Sequence, residues 1–172
     1  LEALKFFMNK GKDGVAGLLT ALRNEYYEVR RPAALTLGAR GDTRTEGVLL
    51  EVLGDEESFF RGRAKNLLEE LHTPVERLIQ GYGEAAVKSQ NSEARLEAIA
   101  QLVAIESFRP EAGQLPYIQG ETAETASVVN DLAARERFWY DRILSYLRDV
   151  LKDRETPSEV GLAAGQALFT IA

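Results

Sequence analysis

The chain has 172 residues, 45% of them hydrophobic, and 27 Asp and Glu outweigh 21 Lys and Arg for a formal charge of -6. There is no cysteine and only one histidine, which excludes disulfides, thiolate catalysis, Cys-ligated zinc and any His–His pair. The acidic balance argues against a nucleic-acid partner, whose phosphates need many cations, and no apolar run approaches the roughly 20 residues of a bilayer span. A soluble, cytoplasmic protein is expected.

Leu1, Leu4 and Met8 take helical spacing in a partial first unit over residues 1–12, with Gly11 placed to end it and Asp13 to cap the next helix. In residues 13–42, Val15, Leu18, Leu19 and Leu22 share one face of a short helix that closes near Asn24. A second helix follows, with Val29, Ala33, Ala34 and Leu37 as its inner stripe and Gly38 or Gly41 at its end. Pro32 fits only near the beginning of a helix, which puts that beginning near Glu28.

Residues 43–72 repeat the scheme, with "GVLLEVL", a turn at Asp55, and "SFFRGRAKNLLEEL". Unit 73–106 opens on Thr73, Pro74 and Glu76, read as an N-cap, a first-turn proline and a capping-box acid. Gly81 and Gly83 are expected to loosen its first helix. Residues 107–122, with two prolines and two glycines, read as an irregular insert. In 123–155, Val128, Leu132, Trp139, Ile143, Leu147 and Leu151 mark one long helix or two joined near Arg135–Arg137. A last partial unit, 156–172, begins with the Thr-Pro pattern at Thr156 and aligns Val160, Ala164 and Leu168 with Val29, Ala33 and Leu37.

The units are copies of one another. Leu22, Asn24, Arg30, Ala33 and Leu37 recur 31 positions later as Leu53, Asp55, Arg61, Ala64 and Leu68, and the offset grows to 34 at Arg95, Ala98 and Leu102. Repeats of this length stack so that each buries its apolar face only against its neighbours. The expected fold is all-α, a right-handed α-solenoid forming one domain over 1–172. Neither end supplies a polar capping unit, so a part of a longer chain is expected.

"LRNEYYEVRRPAALTLGARGD" and "LGDEESFFRGRAKNLLEEL" resemble HEAT repeats, most closely the short HEAT-like units of bacterial and cyanobacterial proteins that include phycobilisome lyase-type subunits. That resemblance implies an inter-repeat hydrogen-bond ladder in which Asn24 serves with Arg30 and Asp55 with Arg61, continued by Arg95 and weakening where Gly161 replaces the arginine. It implies a concave face, formed mainly by the second helix of each pair, that holds another protein. It also leaves open a bilin lyase-like or other enzyme-associated role, and a nucleic-acid-binding role.

No catalytic constellation, cofactor motif or metal-ligand spacing stands out, and a non-catalytic scaffold or adaptor is the expected function. His72 reads as a helix-end residue, and Asp55, Glu56 and Glu57 as first-turn acids of a helix rather than ligands of a cation. Tyr26, Tyr27, Phe59 and Phe60 either line a partner-binding ridge or pack between repeats. Within "ARERFWYDR", Trp139 continues the apolar stripe, while Arg137, Tyr140 and Arg142 are the candidate partner-binding groups. The basic residues of the first two units alternate with acids and read as a solvated mixed face.

Overall fold

A computed structural model describes the backbone of residues 11–107 and 123–171, and the side chains of residues 14–106, 134 and 137–171. The described residues are all helical apart from their turns: α1 Gly11–Leu22, α2 Tyr27–Gly38, α3 Glu46–Val52, α4 Ser58–Glu70, α5 Val75–Lys88, α6 Ser92–Ser107, α7 Ala123–Lys152 and α8 Ser158–Ile171. A single 3₁₀ turn, Thr43–Thr45, leads into α3. None of these helices is long and apolar enough to cross a membrane. The expected helix over residues 1–12 and the insert at 107–122 lie almost wholly outside the described residues.

The helices associate in pairs, α1 with α2, α3 with α4, α5 with α6 and α7 with α8. First helices also meet first helices, α3 on α5 and α5 on α7, and second helices meet second helices, α2 on α4 and α6 on α8. The apolar stripes explain this order. Ala33, Ala34 and Leu37 of α2 and Ala64, Leu67 and Leu68 of α4 are buried, so each helix presents three or four apolar groups to its neighbours. One core runs from Ala34 through Leu49, Leu67, Ile79, Leu102 and Leu147 to Ala167. A smaller cluster of Leu18, Ala33 and Leu37 sits under α1.

Several local expectations are corrected. Asp13 lies inside α1 and does not cap it, while the helix that Gly11 was expected to end lies outside the described residues. Residues 55–57 precede α4 rather than occupying its first turn. Thr73 does not cap α5: the carbonyl of Pro74 accepts the first helical bonds, from the amides of Arg77 and Leu78, and Pro74 is the N-cap. Thr73 is committed elsewhere, because its own amide closes α4 by bonding back to Leu68 O. That closure places His72 at φ +53°, the position taken 31 residues earlier by Gly41 at φ +75°. His72 is therefore a helix-closing residue in a conformation that favours glycine.

Gly81 and Gly83 do not loosen α5, which is continuous through both. A Cβ on Gly81 would lie 2.7 Å from Leu50 Cδ2, and one on Gly83 would lie 2.2 to 2.4 Å from the Tyr146 ring. At Gly83 the Tyr146 ring of α7 leaves no room for a side chain, whereas at Gly81 the tip of Leu50 of α3 would have to move aside. Residues 123–152 form one helix of 30 residues, without a break near Arg135–Arg137. At 1.5 Å per residue it is about 45 Å long.

Candidate functional site

Each turn from a first to a second helix is closed by one polar side chain. Asn24 Oδ1 accepts the Tyr26 amide at 2.9 Å, Asp55 Oδ1 that of Glu57 at 2.8 Å, and Ser89 Oγ that of Asn91 at 3.2 Å. Asp153 Oδ1 does the same for Glu155 at 3.1 Å. These side chains mimic a turn of backbone and fix the entry of the next helix. Asn24, Asp55 and Ser89 all stand six residues before an arginine, whereas Asp153 stands eight before Gly161. A search at fixed spacing finds the first three and misses the fourth, because the last turn is two residues longer.

The arginines join one unit to the next. Arg30 Nη1 donates to Asn24 O and Glu25 O at 3.1 and 2.8 Å, and its Nη2 reaches Glu51 on α3 at 2.9 Å. Arg61 repeats the geometry with Asp55 O and Glu56 O at 2.9 and 3.0 Å, and its Nε donates to Glu97 on α6 at 2.8 Å. Its side chain is only 2% exposed, with Glu93 3.5 Å away as a second acid. Arg95 donates to Ala86 O and to Thr156 Oγ1, both at 2.8 Å, and lies 3.6 Å from Asp153. The links reach the last unit. They end at α8, where Gly161 occupies the arginine position.

Arg31, the neighbour of the residue singled out by spacing, makes the tightest junction. Its Nη1 donates to Asp55 Oδ2 at 2.8 Å, the Tyr27 hydroxyl donates to the same oxygen at 2.6 Å, and its guanidinium stacks 3.9 Å from the centre of the Phe60 ring. Burial pushes the Asp55 carboxyl up, but the bonds from Tyr27, Arg31 and the Glu57 amide outweigh it and hold the carboxyl below its ordinary value. Burial, reinforced by the bond to Asp55, pushes the Tyr27 phenol up.

The vicinal aromatics divide one in, one out. Tyr27 and Phe60 pack against the core between units, while Tyr26 and Phe59 are 62% and 73% exposed. The aromatic–arginine segment of α7 divides as well. Arg137, Phe138 and Arg142 are exposed, but Tyr140 is half-buried and its hydroxyl donates to Ile171 O of α8 at 3.5 Å. Trp139 packs partly into the core, and its indole N–H has no hydrogen-bond acceptor.

Phe138, Trp139 and Arg142 form one wall of a cavity of about 180 Å³, with Glu76, Arg77 and Gln80 of α5 opposite. Arg77 and Gln80 also border a second groove of about 370 Å³ between α3 and α5, floored by Leu50, Gly81 and Ala85. Arg77 is held by Glu46 at 2.8 Å, and Lys88 by Glu84 at 3.0 Å, so the groove has neutralised charged walls. Both hollows lie along first helices. Among the described residues no group of three or more His, Asp or Glu is placed to hold a metal ion.

No protein-family model, no curated protein and no solved structure matches this chain.

Proposed function

We propose that this chain is a cytoplasmic, non-catalytic scaffold of HEAT-like helix pairs wound as a right-handed solenoid, which holds a partner protein through the arginine–aromatic cleft between α5 and α7. The recurring turn closures and the arginine links between successive pairs support the repeat reading. They stiffen the framework on which a docking surface has to be carried.

The cleft carries the functional part. A hollow of about 180 Å³ falls below the roughly 300–1,000 Å³ of small-molecule sites, yet it suits one side chain of a protein. Its wall combines an exposed Phe138, an exposed Arg142 and a Trp139 whose N–H lacks an acceptor, the residue types that dominate protein hot spots. The binding surface is thereby assigned to the first helices, not to the second helices that the family resemblance implies. Tyr26 and Phe59 stand apart from it, as single exposed rings of a kind common on any surface.

The double variant Phe138→Ala/Arg142→Ala tests the reading by quantitative affinity capture from the source organism's lysate. Both side chains are exposed, so the helical circular dichroism should be unchanged while one or a few captured proteins fall at least ~10-fold. Unchanged capture would remove the cleft from the binding site.

A further inference from the structure

Second helices pack closely at two of their three junctions, α2 on α4 and α6 on α8, but α4 and α6 barely approach each other. The units on either side are joined through their first helices, α3 on α5, and between the second helices by Arg61, which reaches Glu97 at 2.8 Å and Glu93 at 3.5 Å. A gap is left between α4 and α6.

Comparison of the copies shows why it stays open. At the α2–α4 junction the Arg31 guanidinium bonds to Asp55 and stacks on Phe60, and Tyr27 stands beside it. One unit later the counterparts of Arg31, Tyr27 and Phe60 are Gly62, Ser58 and Ala94. A Cβ added to Gly62 meets nothing within 4 Å. The side chains that fill the earlier junction are missing here.

Tyr82 of α5 stands at the base of the gap. It is only 5% exposed, and the charges of Glu69 on α4 and Glu97 on α6 both act on its phenol, which puts the ring between the two helices. Its hydroxyl makes no hydrogen bond, although buried polar groups nearly always find a partner. Glu69, on the same face of α4 as Gly62, has no ion pair. Glu69, Glu93 and Glu97 stand against Arg61 and Lys65, so one negative charge is left unbalanced. These carboxylates do not form a group that could hold a metal ion. A larger cation with several donors suits acceptors carried on separate helices.

We propose that the gap between α4 and α6 is a binding site for a guanidinium from outside the chain, held by the Glu69 carboxylate and the Tyr82 hydroxyl. The planar fork of N–H donors can serve both acceptors at once, which an ammonium does less well. The site lies among second helices and is separate from the α5–α7 cleft.

Amide-resolved NMR titration of the 172-residue chain with N-acetylarginine amide tests this, with its neutral isostere N-acetylcitrulline amide as control. Saturable shifts are expected in α4, α6 and around Tyr82, and the citrulline compound should bind at least ~5-fold more weakly. Tyr82→Phe removes only an unbonded hydroxyl and Glu69→Gln changes an exposed group, so each should keep the helical circular dichroism while weakening arginine binding at least ~5-fold. Agmatine and the peptide acetyl-Gly-Arg-Gly-amide separate the two sources of the group: tighter binding of the peptide points to an arginine of another protein, and tighter binding of agmatine to a free small molecule. Equal affinity for the citrulline compound, shifts scattered over the surface acids without saturation, or binding untouched by both variants would each overturn the proposal. Loss of binding in Phe138→Ala/Arg142→Ala would overturn it too, by moving the guanidinium to the α5–α7 cleft.

Discussion

Asp55 gathers three donors on one carboxylate whose side chain is 2% exposed: the Tyr27 hydroxyl, the Arg31 guanidinium and the Glu57 amide. Its folded pKa lies below the unfolded value, so its contribution to stability is complete above about pH 4 and is lost as pH falls through the lower, folded value. Asp55→Asn should cost about 1–3 kcal/mol at pH 7, because it weakens a charge-assisted junction and leaves Arg31 short of its partner. The same variant should flatten the fall of stability on acidification below pH 4. Urea unfolding at pH 7 and at pH 3 measures both effects, and an equally steep acid fall in the variant would locate the sensitive carboxylate elsewhere. At this scale, the sequence spacing already picks out Asn24, Asp55, Arg30 and Arg61. Arg31 escapes it, because both arginines of an Arg-Arg pair suit the pattern and only the neighbouring unit decides which one meets Asp55.

Among the elements, α5 shows how a composition rule misleads. Glycine inside a helix costs about 1 kcal/mol relative to alanine, so Gly83→Ala on an isolated α5 would stabilise. Packing reverses the sign. The new Cβ would stand 2.2 to 2.4 Å from Tyr146 of α7, and relieving that overlap by moving a helix or a half-buried ring costs typically 1–3 kcal/mol. Gly83→Ala should therefore destabilise by about 1–2 kcal/mol in urea unfolding, and Tyr146→Ala in the same chain should suppress most of that loss. A stabilised single variant would mean that α5 and α7 do not approach at this point. The helices themselves were legible from apolar periodicity and turn residues, because both are local. The roles of Gly83 and Thr73 were not, because one is set by α7 and the other by the end of the preceding helix.

For the whole molecule, the junctions matter more than any one unit. Among the described residues Arg61 is the largest fully buried side chain, and it joins the turn at Asp55 and Glu56 to Glu97 of α6. Arg61→Met keeps much of the volume but leaves two turn carbonyls and Glu97 without their donor, at a cost of about 3–5 kcal/mol. Because the helix pairs touch chiefly their neighbours in the chain, that loss should fall on the α2–α4 side first. Native-state hydrogen exchange should show faster exchange in α2, α3 and α4 than in α5 to α8, whereas uniform acceleration would indicate one indivisible folding unit.

The sequence by itself determined the all-helical character, the helix pairs and the polar residues that close most of the turns. Helix periodicity and turn chemistry act over a few residues and are repeated in this chain, so one copy confirms another. Only the tertiary structure decided that Arg31 meets Asp55, that Gly83 makes room for Tyr146, that Tyr140 turns toward α8 while Phe138 and Arg142 face α5, and that α4 and α6 stand apart. These contacts join residues from about 24 to 70 positions apart or leave a face with no neighbour, and their geometry follows from how helices seat against one another rather than from the pattern of any single helix.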